Sequence, residues 1–469
     1  MTLNPCDQEF INKINGLLPG LLSQAEPRHL TELRSGAVGT AGALARPRTT
    51  AEVSELVKHC NNSRIPIIPW GGGTGLVQGQ IARDLPAPLI LSLERMAKVR
   101  AIYPLENVMI CDGGMTVRAA QDAAKAVDRL YPLSLASEAS ATISGTLSTN
   151  AGGLNVLRYG NARELALGLE VVFPDGSVWN GLKRLRKDNT GYDLRDLLIG
   201  AEGTLGIITA AALRLYPRPR AEATALIEVA TPDAALEFLS QTLDMFGNSV
   251  SAFELMSGQA LDFIDETLPH IRQPFAKRPD WLVLIDIGMG AGNDPAEGLA
   301  KLYEQAGLTG QALVSQSEAD RARFWEIREL IPEANRRIGS VLSNDISIPL
   351  TDIPSFMTHA SAKIAALGPF RINAFGHLGD GNLHFNIFPP KGGRKEDYAD
   401  KKAVLTRTLN DLIAAFDGSF SAEHGVGRVK VGELERYGDS AKLTAMRAIK
   451  MALDPNNIMN PGAVLKSLN

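Results

Sequence analysis

Glycine is the residue that most constrains how this chain can fold. The 44 glycines are clustered, with five in residues 71–79, six in residues 145–176 and three in residues 200–206. Glycine adopts positive φ angles and lets backbone approach a ligand closely, at a cost in backbone entropy. Three such clusters in one half of an enzyme-sized chain indicate a large ligand wrapped by backbone.

The first cluster, GGGTG at residues 71–75, differs from the two commonest nucleotide-binding loops. The dinucleotide fingerprint G-x-G-x-x-G is interrupted by Leu76 or by Gln78, depending on the glycine from which it is counted. The phosphate loop of nucleotide triphosphatases needs Gly-Lys followed by Ser or Thr, which this sequence lacks. Successive backbone N–H groups still suit a pyrophosphate, with a plain turn as the alternative. The second cluster, ASATISGTLSTNAGGLNVLRYG, adds hydroxyls and favours the ligand.

Composition excludes several classes of protein. The 469 residues are 45% apolar and 21% charged, which is typical of a soluble globular protein with two to four domains. A net charge of −4 without a basic patch argues against nucleic-acid binding. No apolar run reaches the roughly 18 residues of a membrane-spanning helix. The N-terminus lacks a signal-peptide pattern, and the three scattered cysteines indicate a reducing compartment, so we predict a cytoplasmic protein.

Hydrophobic patterning predicts helices and strands in both halves. We expect residues 1–45 to be helical and TTAEVSELVKHCNNSR to form an amphipathic helix with Thr49 or Thr50 as N-cap. IPIIPW is predicted to be a buried strand, and LGLEVVFPDGSVW a hairpin that turns at PDG. After Pro217 and Pro219, the segments ATALIEVA, VSAFELM, WLVLIDIGM and INAFGHLGDGNLHFNIFPP are predicted strands, and SEADRARFWEIRELIPEANRRIG a long helix. The second half is therefore expected to be an α+β domain with an antiparallel sheet.

The motifs, taken in order, resemble one family of flavoproteins. PWGGGTGL, SGTLSTNAGG, GLEVVFPDGSVW and KDNTGYDLRDLLIGAEGTLGIIT are similar to the FAD domain of the vanillyl-alcohol-oxidase-type flavoproteins. GHLGDGNLHFN, SAEHGVGR and DPNNIMNPG resemble the D-2-hydroxyacid dehydrogenase branch, which includes D-lactate, glycolate and D-2-hydroxyglutarate dehydrogenases. The match runs from about Pro47 to Gly462, and SAEHGVGRVKVGELERYGD and ELM favour the D-2-hydroxyglutarate subgroup.

The resemblance implies an α+β fold with a two-lobed FAD-binding domain over residues 1–218 and a substrate (cap) domain over residues 219–418. A C-terminal helical segment, 419–469, would carry a Glu-His pair and return to the FAD domain. The implied FAD contacts in the first loop are Pro69, Gly71, Gly72, Gly73, Thr74, Gly75 and Leu76. Those in the second loop and later motifs are Ser144, Gly145, Thr146, Asn150, Gly152, Gly153, Glu202, Gly203, Thr204, Ile207 and Asn460. Since neither histidine of this half, His29 or His59, lies in the first loop, we expect non-covalent FAD.

Three of the seven histidines are candidates for metal chemistry. His377 and His384 bracket the residues GDGN, which lets two imidazoles on adjacent strands converge, and His424 follows Glu423 in a glycine-containing loop. Two imidazoles and one carboxylate suit a borderline divalent ion with positions open for substrate, whereas a hairpin with a polar turn is the alternative. We expect zinc, with manganese, iron or cobalt as alternatives, and the resemblance implies that His377, His384 and Glu423 are the ligands.

Three residues are expected to handle substrate. His424 is the predicted general base, because a neutral imidazole accepts a hydroxyl proton near pH 7. Asn386 lies two residues past His384, on the same face of the predicted strand, and suits a substrate oxygen. The resemblance implies that Arg328, in FWEIRELIPEA, binds a substrate carboxylate. The resemblance also implies a lysine at the position of Ser343 in D-2-hydroxyglutarate enzymes, and its absence keeps a monocarboxylate substrate open.

These features predict a FAD- and metal-dependent dehydrogenase that oxidises D-2-hydroxyglutarate, or a related small D-2-hydroxyacid, to the 2-oxoacid. The hydride would go to flavin N5 and the proton to His424. D-lactate and glycolate are the alternative substrates. A flavin-binding subunit without catalysis and an oxygen-using alcohol or amine oxidase are the alternative classes. We expect a homodimer that passes electrons to an electron-transferring flavoprotein or a quinone.

Overall fold

The computed structural model describes residues 2–466. The strands in this part of the chain are β1 (Leu22–Ser23), β2 (Ala43–Ala45), β3 (Ile67–Trp70), β4 (Leu89–Ser92), β5 (Val99–Tyr103), β6 (Val108–Asp112), β7 (Arg129–Leu130), β8 (Ala166–Val172), β9 (Val178–Gly181), β10 (Ile207–Arg214), β11 (Tyr216–Pro217), β12 (Ala221–Val229), β13 (Val250–Ser257), β14 (Trp281–Met289), β15 (Ala312–Val314), β16 (Asp345–Ser347), β17 (Arg371–Gly376) and β18 (Asn382–Phe388). The α-helices are α1 (Gln8–Leu17), α2 (Pro27–Leu30), α3 (Thr50–Ser63), α4 (Val117–Ala126), α5 (Ile143–Thr149), α6 (Val156–Tyr159), α7 (Leu194–Leu198), α8 (Pro232–Phe246), α9 (Gly258–Thr267), α10 (Pro295–Gln305), α11 (Glu318–Ile338), α12 (Ile353–Ala365), α13 (Lys402–Ala415), α14 (Val431–Tyr437) and α15 (Ser440–Leu453).

The described residues divide into two compact units, and each unit is made of separate stretches of chain. The first contains residues up to 153, 160–218 and those from 423 onward, and the second contains 154–159 and 219–422. The short helix α6 belongs to the second unit because Arg158 Nη1 donates to the carbonyl of Gly288 at 2.7 Å. Residues 154–159 are thus grouped with the second unit, and the chain rejoins the first unit at residue 423.

The first unit is built on three sheets in the described part of the chain. Their strand orders are β1-β2-β4-β3, β5-β6-β10-β8-β9 and β11-β7. In the first sheet β2 and β3 both run parallel to β4, whereas the five-stranded sheet is antiparallel throughout. The predicted hairpin is confirmed, since β8 and β9 pair antiparallel. The predicted helix α3 is confirmed as well, and Thr49 Oγ1 caps it by accepting from Glu52 N at 3.2 Å.

The prediction that residues 1–45 are helical is wrong for most of that segment. Only α1 and the single turn α2 are helical, while β1 pairs antiparallel with β2. Pro19 and Gly20 follow α1, and Gly20 has a φ of +72°, so the helix stops and the chain turns toward the sheet. The apolar residues there serve a strand edge as well as a helix face.

The C-terminal tail extends the first sheet beyond β3. Ile67 N donates to Ile458 O at 2.7 Å, and Asn460 N donates to Ile67 O at 2.9 Å. Met459 lies opposite Ile67 in a parallel bridge and is fully buried. The tail therefore acts as an outer strand next to the first glycine loop.

The second unit is built on one seven-stranded sheet, with strand order β15-β12-β14-β13-β17-β18-β16. Every pairing in it is antiparallel, which confirms the predicted α+β architecture of this half. Alternate strand residues pack on the two faces: helices α8, α10, α12 and α13 cover one, and α9 and α11 cover the other. This period-2 alternation makes the sheet the centre of two apolar layers.

Within residues 2–466, no helix is both long enough and apolar enough to cross a membrane.

Candidate active site

Backbone of the first two glycine loops meets directly in the first unit. A Cβ on Gly71 would lie 2.9 Å from Thr142 Oγ1 and 3.4 Å from the Cα of Gly145, and a Cβ on Gly72 would lie 1.8 Å from Ser140 O. Thr142 caps α5 by accepting from Gly145 N at 3.2 Å. Only glycine fits these positions, so the structure brings together two of the loops that the sequence assigned to FAD. A bare, closely spaced backbone of this kind fits a pyrophosphate.

The third glycine cluster approaches the start of the first glycine loop through Gly203. Its φ is +69°, and a Cβ there would lie 2.7 Å from the ring of Pro69. The preceding residue, Glu202, does not offer its carboxylate to a ligand, because Oε1 accepts from Val426 N at 2.7 Å and Oε2 from Gly427 N at 2.8 Å. Burial raises the pKa of the Glu202 carboxyl. Glu202 thereby fixes the loop that carries the Glu-His pair.

Two side chains fasten the tail to these loops. Asn460 Nδ2 donates to Glu202 O at 2.8 Å and to Gly79 O at 3.1 Å. Arg428, which the sequence analysis did not assign, donates to Gly79 O at 3.0 Å and to Asn460 Oδ1 at 2.8 Å. Burial lowers the pKa of the Arg428 guanidinium to about 10, so it stays charged at neutral pH. The signal for it was available, since Arg428 closes the quoted motif SAEHGVGR.

Several other predicted FAD residues use their side chains within the protein. Thr146 Oγ1 donates to Ile143 O, Asn150 Oδ1 accepts from Arg163 N, and Thr204 Oγ1 donates to Ala201 O. Residues of this kind shape the backbone of the loops. Any contact that they make to a cofactor is through backbone or through the remaining side-chain atoms.

In the second unit, the hairpin of β17 and β18 brings two imidazoles together. His384 lies opposite Phe375 in the strand register, and His377 follows β17 directly. Their ring centroids are 5.7 Å apart with an interplanar angle of 77°, and one nitrogen of each ring lies within 4.8 Å of the other. The turn between the strands passes through Gly381 at a φ of +82°. A short turn and antiparallel pairing thus produce a two-nitrogen ligand pair.

A buried carboxylate that was not predicted from the sequence contacts one histidine of this pair. Glu254 on β13 is fully buried; its Oε1 lies 2.6 Å from His377 Nδ1, and its Oε2 accepts from Arg328 Nε at 2.7 Å. Burial alone would raise the pKa of Glu254, but the charges and hydrogen bonds of His377 and Arg328 lower it to about 2. The available signal was a single acid in the apolar run SAFELM.

Arg328 is itself only 4% exposed, and its guanidinium carbon lies 5.0 Å from the centroid of the Phe375 ring. Asn386 sits on the same face of β18 as His384 and accepts from Asn344 N through Oδ1 at 2.9 Å. Its Nδ2 is the group suited to donate to a substrate oxygen. Arg328, Asn386 and the two histidines all belong to the second unit.

The chain passes from this sheet to the Glu-His pair within a few residues. Ser347 and Ser419 form an antiparallel bridge, and Ala422 N donates to Asp345 O at 3.3 Å. Glu423 follows, and in the first unit its Oε1 accepts from Gly153 N at 2.7 Å. A carboxylate oxygen of Glu423 and a ring nitrogen of His424 lie within 4.8 Å of each other. Glu423 therefore connects a predicted FAD residue to the predicted base.

Models of known protein families match both halves of the chain. A family model described as "FAD linked oxidases, C-terminal domain" matches residues 218–464, and one described as "FAD binding domain" matches residues 41–181. Among solved structures, p-cresol methylhydroxylase with substrate bound has a TM-score of 0.76 at 18% identity, covering 99% of this chain and 98% of that one. An alkyldihydroxyacetonephosphate synthase has a TM-score of 0.74 at 17% identity, covering 98% and 87%. The fold and its glycine loops thus define a FAD-binding protein of the vanillyl-alcohol-oxidase type.

Relatives at higher identity narrow the class. The D-2-hydroxyglutarate dehydrogenase of Xanthomonas citri pv. viticola is 34% identical over 429 residues, 91% of this chain and 89% of that protein. The mitochondrial D-2-hydroxyglutarate dehydrogenase of Bos taurus is 35% identical over 448 residues, which are 94% of this chain and 80% of that protein. A D-2-hydroxyglutarate–pyruvate transhydrogenase of Saccharomyces cerevisiae is 32% identical over 434 residues, 90% and 86%. This chain belongs to the FAD-linked D-2-hydroxyacid dehydrogenase family.

Proposed function

We propose that this enzyme oxidises D-2-hydroxyglutarate to 2-oxoglutarate with FAD and one divalent metal ion. The observation that carries the proposal is the paired imidazoles of His377 and His384, backed by Glu254 and Arg328. An alcohol oxidase that relies on flavin alone has no need of such a ligand pair. The names of the relatives supply the substrate.

The proposed metal ligands are His377, His384 and Glu423. Two imidazole nitrogens and one carboxylate oxygen suit zinc, with manganese, iron or cobalt as alternatives, and they leave positions for substrate. Support comes from the hairpin geometry and from the bond between Ala422 N and Asp345 O, which keeps the chain on the second unit's sheet up to the residue before Glu423. A metal held there would lower the pKa of the substrate 2-hydroxyl.

The protein's own groups would bind substrate and move one proton. In this proposal Arg328 binds a carboxylate of the substrate, Asn386 Nδ2 donates to a substrate oxygen, and His424 accepts the proton of the 2-hydroxyl. Non-covalent FAD, when bound, would supply the acceptor for the C2 hydride at flavin N5. Substrate thus loses one hydride and one proton, which gives the 2-oxoacid.

D-Lactate and glycolate are the second candidate substrates, and one observation favours them. Ser343, where a lysine would neutralise a distal carboxylate, shares a 2.7 Å hydrogen bond with Ser340. An electron-transferring flavoprotein or a quinone remains the predicted acceptor, and a cytoplasmic homodimer the predicted state.

Anaerobic reduction of the bound flavin tests the proposal directly. Purified enzyme would be mixed with D-2-hydroxyglutarate, L-2-hydroxyglutarate, D-lactate and glycolate, and the bleaching of the flavin absorbance recorded. We expect rapid bleaching by D-2-hydroxyglutarate and little by its L-enantiomer. Bleaching by D-lactate alone would show that D-lactate, and not D-2-hydroxyglutarate, is the substrate. Absence of bleaching by every hydroxyacid would favour a flavin-binding subunit without catalysis. Turnover with an artificial dye acceptor separates a dehydrogenase from an oxygen-using oxidase.

A further inference from the structure

Glu254 is a charged residue in a buried strand, where a carboxylate is rare. All eight residues of β13 are buried, and Glu254 is the one charged residue among them. A buried carboxylate is costly unless both of its oxygens are paired. Here one oxygen faces His377 and the other faces Arg328, at 2.6 and 2.7 Å. One side chain therefore contacts both a proposed metal ligand and a proposed substrate-binding residue.

We propose that Glu254 is a positioning residue that fixes the tautomer of His377 and the orientation of Arg328 together. An ionised carboxylate only accepts hydrogen bonds, so His377 must carry its proton on Nδ1 and present the lone pair of Nε2. Carboxylate partners of ligating histidines act in this way in many metal sites, where they hold the ring and strengthen the ligand. The inference deepens the proposed function, because it rests on His377 being a metal ligand.

The same carboxylate restrains Arg328. Its Nε is held by Glu254, and its guanidinium plane lies near Phe375. The two Nη groups remain as the donors suited to a bidentate contact with a carboxylate. Because His377 and Arg328 share one partner, a change at Glu254 alters metal binding and substrate binding in the same variant, which removal of either partner alone does not do.

Asp286 provides a matched control in the same unit. It lies on β14, next to β13, is 3% exposed, and is paired with Arg321, which precedes Arg328 by two turns of α11. Arg321 Nε and Nη2 donate to it at 3.1 and 3.0 Å, and Trp325 Nε1 at 3.2 Å. Asp286→Asn thus removes a buried carboxylate that anchors the same helix, and its partners are the arginine, the tryptophan and Thr224.

The experiment compares Glu254→Gln, Glu254→Asp and Asp286→Asn with the wild type, each purified with FAD. Zinc affinity is measured by competition with a chelator, and cobalt absorption spectra are recorded after substitution of the metal. We expect Glu254→Gln to bind zinc about 10- to 100-fold more weakly and to change the cobalt spectrum. Asp286→Asn should lose thermal stability but keep both properties. Glu254→Asp, which keeps the charge on a shorter side chain, should lie between wild type and Glu254→Gln, and it provides the test if Glu254→Gln does not fold.

The outcomes separate this inference from the proposed function. A wild-type enzyme that binds no divalent ion would overturn the proposed metal site. A wild type that binds zinc while the folded Glu254 variants bind it equally well would overturn the positioning role alone. The expected split in steady-state kinetics is a raised KM for D-2-hydroxyglutarate together with a lowered kcat at saturating zinc, because both Arg328 and His377 would be disturbed.

Discussion

At the scale of single residues, His424 has the most specific assignment. It adjoins Glu423, whose carboxylate is held by Gly153 N. We expect His424→Ala to bind D-2-hydroxyglutarate but to reduce flavin about 10²–10⁴-fold more slowly, since a general base typically contributes that factor. Stopped-flow reduction under anaerobic conditions measures it. His359→Ala is the control, because that imidazole is exposed on α12 and bonds within its own helix. Near-normal reduction in the His424 variant would show that another group takes the proton.

Arg328 is expected to discriminate between substrates. Removing it outright would leave Glu254 buried without its cationic partner, so Arg328→Lys is the better variant, because it keeps the charge and loses the fork of donors. We expect kcat/KM for D-2-hydroxyglutarate to fall about 10- to 100-fold, which corresponds to one charged hydrogen bond of about 1.5–3 kcal/mol. D-Lactate should be affected less. An equal loss on both substrates would mean that Arg328 holds the C1 carboxylate that they share.

The site residues differ in how far they could be predicted from the sequence. Motif order was enough to place the glycine loops and the imidazole hairpin, because each is local in sequence. Glu254 contacts His377, 123 residues away, and Arg428 contacts Gln78, 350 residues away. No local pattern specifies such contacts, since they depend on the packing of distant strands and loops.

At the scale of elements, the first glycine loop gives a direct test. A valine at Gly73 combines a φ of +72° with a Cβ only 2.8 Å from the Trp70 ring, so the loop must move away from its position beside the second loop. We expect Gly73→Val to be purified with little or no FAD, as measured by absorbance after acid release. Gly20→Val is the control, because Gly20 has the same φ of +72° and nothing within 4 Å of its Cβ. Normal flavin content in the Gly73 variant would remove the loop from the cofactor site.

Strand β8 supplies a pH-dependent prediction through Glu170. Its Oε1 accepts from Thr50 of α3 at 2.6 Å and from Arg100 at 3.0 Å, so it joins helix to sheet. Burial would raise the pKa of the Glu170 carboxyl, but hydrogen bonds from Arg100, Thr50 and Thr209 lower it. The stability that the ionised carboxylate adds is therefore fully present above its unfolded pKa of about 4.3 and is lost as the pH falls below that value.

We expect Glu170→Gln to lower Tm at pH 7, where charged hydrogen bonds of about 1.5–3 kcal/mol are lost. The difference from wild type should shrink steadily between about pH 5 and pH 3, because the wild-type carboxylate is then protonated. Differential scanning fluorimetry across this range provides the measurement. A gap in Tm that stays constant, or that widens in acid, would contradict the assignment of the ionised form.

Elements were predictable where their pattern was local and regular. Helix α3 has an N-cap and an apolar stripe that includes Val53, Leu56 and Val57, and β8 and β9 flank a short PDG turn. The first 45 residues were not predictable in this way. Their apolar residues serve both a short helix and β1, and the pairing of β1 with β2 is decided by the sheet.

At the scale of the whole molecule, the proposed metal and FAD should be separable. The glycine loops that suit FAD belong to the first unit, whereas two of the three proposed metal ligands, His377 and His384, belong to the second. We expect EDTA to abolish dehydrogenase activity while flavin absorbance stays with the protein, and zinc, manganese, iron or cobalt to restore activity. Full activity after exhaustive chelation, verified by elemental analysis, would exclude a metal from the reaction. Flavin released by the chelator would show that the two sites depend on each other.

Each unit is made of separate stretches of chain, which makes its bounds hard to predict from the sequence. Residues 154–159 belong to the second unit although the chain on both sides of them belongs to the first, and contacts of Arg158 and Leu157 with distant residues of the second unit show this. Composition changes little across such a short excursion. The division between the units after residue 218 falls beside Pro217 and Pro219, which stand out in the sequence.

The outer position of the tail beside β3 sets an order of events during synthesis. Ile67 and the first glycine loop leave the ribosome well before their neighbour at residues 458–460, because the whole second unit lies between them in the sequence. Until then the sheet edge at β3 is open, and Asn460 and Arg428 cannot yet hold Gly79. The edge of β3 is therefore covered only after the second unit has been synthesised, and until then it is an unpaired β-edge of the kind that promotes aggregation.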